Sequence, residues 1–220
     1  MRLLNLLRPL IATVAFMAAA AGASAADFKD GVDYNSVNGP SPDTGKKVEV
    51  LEFFMYHCPH CNALDPDLAA WVKKNSDKIV FRRMHMGEDP QAKAFYTLES
   101  MNALGNGMHE KIFRAIHVER NRLNTDQALL DFVVKNGVDK AKYLETFNSF
   151  GVQTKLKRGV QVANQYKLDS VPALVIDGRY TTSPAVAGHG LTSAPAAHAA
   201  MFAVADSLVA KSLAERAGKK

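Results

Sequence analysis

Residues 47–61, KVEVLEFFMYHCPHC, decide the architecture. Lys47 to Met55 is β-branched and aromatic and apolar almost throughout, the pattern of a strand covered on both faces. Cys58-Pro59-His60-Cys61 follows at once, with Pro59 where a first helical turn accepts proline. Asn62 to Lys74 continues with Leu64, Leu68, Trp71 and Val72 at helical spacing. Residues 78–86, KIVFRRMHM, read as a second strand, so the order is strand, helix, strand, as in a βαβ unit.

Downstream the pattern changes. Asp89-Pro90 pairs a cap with a first-turn proline and opens a helix expected to run to Gly105. Further helical segments are expected at about 108–118, 125–136 with Asn124 as cap, 139–150 and 152–167. Sheet character returns at 172–180, PALVIDGRY, where Asp177-Gly178 is a hairpin signal. An Ala-rich segment from about Ala194 to Ala217 reads as a long helix with Ser193 as cap, whereas Ala26 to Pro42 is a polar lead-in. The simplest architecture is an α/β unit with a helical insertion between its second and third main strands.

The N-terminus carries Arg2 and Arg8, an uncharged apolar run from Leu10 to Gly22, and the small-x-small triplet Ala23-Ser24-Ala25. This is the pattern of a secretory signal peptide cleaved after Ala25. The run is shorter than the roughly 20 residues that span a bilayer, which disfavours an uncleaved anchor. Cleavage removes two of the 27 basic residues and leaves 25 against 22 acidic ones, a net +3 too mild to argue for nucleic acid. The chain has two cysteines in all, three positions apart. A disulfide closing so small a loop restrains the unfolded chain very little, so the pair is a poor staple and reads as reactive.

A C-x-x-C is also half of a zinc site, but a structural zinc site needs four ligands. No other cysteine exists, and His57, His60 and His85 lack the spacing to complete one, so no metal is expected, and disulfide exchange between the two sulfurs implies no diffusible cofactor. In the redox reading, Cys58 sits where the helix begins. Unpaired backbone N–H groups and the positive end of the helix dipole there favour a thiolate over a thiol. Cys61 lies one turn on, on the same face, and is the partner that closes or resolves. Pro59 stiffens the turn between them and His60 adds a donor that steadies the thiolate. Glu52 is out of place in so apolar a strand. Either it faces solvent at a sheet edge, or it is a buried carboxylate near the pair that relays the proton Cys61 must lose, with Arg83 in the neighbouring strand as counter-charge. Val171-Pro172 opens the late strand, a position that tolerates proline. A cis bond there would turn the Val171 backbone toward an extended substrate peptide.

With VLEFFMYHCPHC and SVPALVIDGRY as the carrying motifs, the chain resembles the DsbA family of periplasmic disulfide oxidases over essentially its whole mature length. The resemblance implies a thioredoxin fold with an inserted all-helical domain. The expected organisation is a signal peptide over 1–25, a first thioredoxin-like part over 26–88, the insertion over 89–158 and a second part over 159–220. It also implies a reactive Cys58, a buried Cys61, Glu52 as the buried acid beneath the pair, and a cis Pro172. The implied partners are reduced, unfolded exported polypeptides and a DsbB-like membrane quinone reductase that reoxidises the pair, with the protein acting as a periplasmic monomer. The sequence departs from the family pattern at Met55-Tyr56 and His57, beside the motif. Two rival roles follow from the same residues. Isomerases on this fold resemble dimers with an N-terminal dimerisation domain, for which the 32 residues from Ala26 to His57 leave no room. A non-enzymatic metal carrier would use Cys58, Cys61 and a histidine.

Overall fold

Strand β2 (Val48–Phe54) lies at the heart of a five-stranded sheet of order β1-β5-β4-β2-β3. The computed structural model describes residues 27–40 and 42–218, so the signal-peptide reading over 1–25 lies outside them. β2 runs parallel to β3 (Ile79–His85) and antiparallel to β4 (Ala173–Ile176), which pairs with β5 (Tyr180–Thr182). The short edge strand β1 (Asn35–Ser36), inside the stretch expected to be only a lead-in, adds to β5. The parallel β2–β3 pair is joined by helix α1 (Pro59–Lys74), the βαβ unit expected from the sequence.

Because strand side chains alternate, β2 feeds two cores. Val48 and Val50 pack with Leu64, Leu68 and Trp71 of α1 and with the long helix α8 (Ala194–Gly218). Leu51 and Phe53 face the other way, against Ala163 and Tyr166. Phe54, at the strand's end, enters a third cluster built mainly from the helices between β3 and β4. These are α2 (Pro90–Ser100), α3 (Met108–His117), α4 (Asp126–Lys135), α5 (Lys140–Phe147) and α6 (Phe150–Gln165).

Several boundaries differ from the sequence expectation for identifiable reasons. α2 stops at Ser100, not Gly105, because Asn102 takes a left-handed φ of 53° and the Asn102 and Ala103 N–H groups bond back to Glu99 and Leu98. α4 is capped by Thr125, whose hydroxyl accepts the Ala128 N–H, and not by Asn124. As the hairpin signal required, residues 172–180 form β4 and open β5. They turn at Asp177-Gly178, both with positive φ, into β5. Gly178 is required twice over, by its φ of 66° and because a Cβ there would stand 2.3 Å from the Pro40 carbonyl oxygen. A short helix α7 (Pro184–Ala187) follows β5.

Candidate active site

The C-terminal end of β2 delivers the chain through Met55, Tyr56 and His57 into α1. Cys58 is the N-cap of α1, in extended conformation, and Pro59 occupies the first turn. The Cys61 N–H donates to Cys58 Sγ over 3.4 Å, the contact a capping oxygen usually makes, here made to sulfur. The helix therefore offers an N–H and its positive dipole end to the Cys58 sulfur. Both cysteines are free; Cys58 is partly exposed and Cys61 is wholly buried. Burial pushes the Cys61 thiol far up from its ordinary value, and the Cys58 sulfur and the Glu52 carboxylate push it further. Of the two sulfurs, one is reachable and one is kept from water.

The Val171–Pro172 bond is cis, and the Cys58 thiol donates to the Val171 carbonyl over 3.6 Å. The start of β4 thus meets the N-terminus of α1. His60 is exposed and, with Val171 and Pro172, lines a groove of about 580 Å³ that continues along residues 183–198.

Glu52 does not face solvent. It is 1% exposed in a central strand, on the α1 side of the sheet, and Arg83 Nε donates to its Oε2 over 2.6 Å. Parallel pairing places the two residues directly opposite each other, as the counter-charge reading required. Burial raises the Glu52 carboxyl above its usual range, with Arg83 and then His109 opposing.

Sequence reasoning missed what surrounds this pair. Arg83 also donates from Nη2 to Asp65 Oδ1 over 2.8 Å, and His109 Nε2 of α3 stands 3.2 Å from the same oxygen. Asp65 follows Cys61 by one turn of α1, on its buried face. Its carboxyl lies below its usual range: burial opposes the charge, but His109 and Arg83 outweigh it. His109 Nδ1 meets the Tyr56 hydroxyl at 3.0 Å. Two more histidines hold the Tyr56 backbone: its N–H donates to His85 Nε2 over 3.2 Å, and its carbonyl accepts from His117 Nε2 over 2.8 Å. Since His85 Nε2 accepts, the proton of the neutral ring is on Nδ1, which is buried without a partner. Burial lowers His85 to about 4 and keeps it neutral. The signals were present in the sequence as an Asp on the apolar face of α1 and a His beside Ile112 and Phe113 on α3. His57, by contrast, is exposed and meets Gln91 Oε1 at 3.3 Å. Among the described residues, no group of three or more His, Cys, Asp or Glu is arranged to hold a metal ion.

Residues 78–201 match the DSBA-like thioredoxin domain family. The chain is 37% identical over 190 residues to the thiol:disulfide interchange protein DsbA of Bordetella parapertussis, covering 84% of this chain and 90% of that one. It is 38% identical over 191 residues to the DsbA of Burkholderia cepacia, covering 82% and 88%. The crystal structure of Pseudomonas aeruginosa DsbA superposes with a TM-score of 0.77 at 31% identity, over 88% of this chain and 98% of that one.

Proposed function

The chain belongs to the DsbA-like thioredoxin-domain family, and from that membership we propose that it donates its Cys58–Cys61 disulfide to newly exported proteins in the periplasm. It is a thiol–disulfide oxidoreductase. The helical block over 89–158 is read as an insertion between thioredoxin-like parts over 26–88 and 159–220, with residues 1–25 removed as a signal peptide after Ala25. The protein acts as a monomer, on reduced, unfolded polypeptides.

The cycle begins with the Cys58–Cys61 disulfide. A substrate thiolate attacks Cys58 Sγ; the substrate-to-Cys58 bond forms, the Cys58–Cys61 bond breaks, and the electron pair leaves on Cys61 Sγ. A thiolate is disfavoured at so buried a position, so Cys61 takes a proton, and protonated Glu52 is its source. A second substrate thiolate then attacks the substrate sulfur and expels Cys58 as a thiolate, received by the Cys61 N–H at the helix N-terminus. The substrate gains a disulfide and the protein becomes a dithiol. Reoxidation runs the chemistry backwards on a DsbB-like membrane quinone reductase, and Cys61 then returns its proton to Glu52. Pro59 keeps the turn short and His60 faces the incoming chain. The Val171 backbone, set by Pro172, offers its hydrogen-bonding groups to an extended peptide in the groove.

The observation that carries this reading is the asymmetry of the pair: a reachable Cys58 at the helix cap above a buried Cys61. Its test is trapping. Cys61→Ser incubated with an unfolded two-cysteine polypeptide whose thiols are activated as mixed disulfides should accumulate a covalent complex through Cys58, and Cys58→Ser should accumulate none. A complex through Cys61 in the Cys58→Ser protein would reverse the assignment.

A further inference from the structure

The buried cluster under the cysteines does not balance its charges with the residues considered so far. Glu52 and Asp65 share one guanidinium, that of Arg83, at 2.6 and 2.8 Å. With both carboxylates ionised, one negative charge is left over on Glu52 and Asp65, themselves almost fully buried, and an uncompensated buried charge is strongly disfavoured. Among the described residues the missing positive charge has one candidate within contact distance: His109, 3% exposed, 3.2 Å from Asp65 Oδ1.

The partner of its other nitrogen lets His109 take either state. The Tyr56 hydroxyl at 3.0 Å from Nδ1 both donates and accepts. It accepts when the ring carries both protons and donates when Nδ1 is bare, so the heavy atoms need not move. Burial holds Tyr56 well above its usual value, so the hydroxyl keeps its own proton throughout. Around His109 stand Asp65 on α1, Tyr56 in the turn after β2, Glu52 on β2, Arg83 and neutral His85 on β3, and Glu110 beside it on α3. The rings of Phe54 and Phe113 complete the packing, at 5.1 and 5.0 Å between centroids.

We propose that His109, supplied by the helical block, is a positioning residue for proton transfer at Cys61: by its charge it decides whether Glu52 is a carboxylate or a carboxylic acid. The cluster then holds one exchangeable proton. With the proton on His109, Glu52 is ionised and ready to accept from Cys61; with His109 neutral, Glu52 carries the proton and is ready to give it. This deepens the Glu52 reading above and rests on it.

The experiment follows closure of a preformed mixed disulfide between Cys58 and glutathione. Cys61 loses its proton to Glu52, its sulfur attacks Cys58 Sγ, the Cys58–Cys61 bond forms and glutathione leaves as a thiolate. Glutathione release is recorded from pH 4 to pH 9 for wild type, His109→Gln, Glu52→Gln and the double variant. Gln keeps polar atoms for Asp65 and Tyr56 but cannot take a charge. The wild-type rate should rise with pH as Glu52 ionises. In His109→Gln that limb should move to higher pH, each pH unit of displacement slowing closure about tenfold below the limb. Glu52→Gln should lack the limb, and adding His109→Gln to it should move nothing further. A limb unmoved by His109→Gln but abolished by Glu52→Gln overturns the inference and leaves the Glu52 reading standing. A limb that survives Glu52→Gln overturns both. Should His109→Gln fold poorly, His109→Asn decides in the same assay: its limb should likewise lie at higher pH than that of the wild type, and an unmoved limb contradicts the coupling.

Discussion

His85 links the acid stability of the protein to the shape of its active-site turn. It accepts the Tyr56 N–H two residues before Cys58, and only the neutral ring can do so. Burial lowers it from 6.5 to about 4. Above about pH 6.5 both folded and unfolded chains carry a neutral ring and the group contributes no pH dependence. Between there and about pH 4 only the unfolded chain takes up the proton, so stability falls as pH falls; below about 4 the loss is complete. At about 1.4 kcal/mol per pH unit, this amounts to roughly 3 kcal/mol. His85→Gln keeps an acceptor for the Tyr56 N–H and removes the titration. Urea unfolding of reduced wild type and variant, followed by circular dichroism at pH 7, 5.5 and 4, measures the difference directly. The wild type should lose roughly 3 kcal/mol more than His85→Gln between pH 7 and pH 4. Equal losses would mean that His85 is not held neutral, and the account of the turn would be wrong.

Glu52→Gln should raise the urea midpoint near neutral pH. The raised folded value means that stability is lost as pH rises above the unfolded value of about 4.5, and the gain should vanish below it. Arg83→Met leaves two buried carboxylates facing each other and should cost about 3–5 kcal/mol in the same assay, with part recovered by adding Glu52→Gln. Phe54→Ala removes the ring that packs Tyr56, Phe95 and His109 together and should cost about 3–5 kcal/mol by thermal unfolding. Gly159→Ala places a Cβ 2.3 Å from the Tyr96 hydroxyl and 2.8 Å from the His85 carbonyl oxygen, so α6 must retreat from β3. About 1–3 kcal/mol of destabilisation is expected, read as a lower melting temperature.

What could be read from the sequence was what local chemistry dictates. β2 and α1 were legible because an apolar β-branched run and a 3.6-residue period sit side by side at a proline-marked helix start. Arg83 was legible as the partner of Glu52 because strands of a βαβ unit pair, and the register does bring them opposite. Helix ends were less so: α2 stops at Ser100 with Asn102 in the left-handed region, short of the Gly105 to which the helix was expected to run. His109 was invisible as part of the site, since it reaches Asp65 from a helix whose placement depends on packing around Phe54 and no local pattern announces that. The β1 edge is two residues long and polar, below what alternation can reveal.

Cys58 and Cys61 are expected to pass an intact disulfide to another polypeptide. Anaerobic incubation of the oxidised protein with a reduced, unfolded two-cysteine polypeptide, quenched in acid and counted by thiol-specific mass labelling, tests it directly. One substrate disulfide should form for each Cys58–Cys61 disulfide lost, with equilibrium lying toward the reduced protein. A Cys58–Cys61 disulfide that stays intact beside a reduced substrate would contradict this expectation.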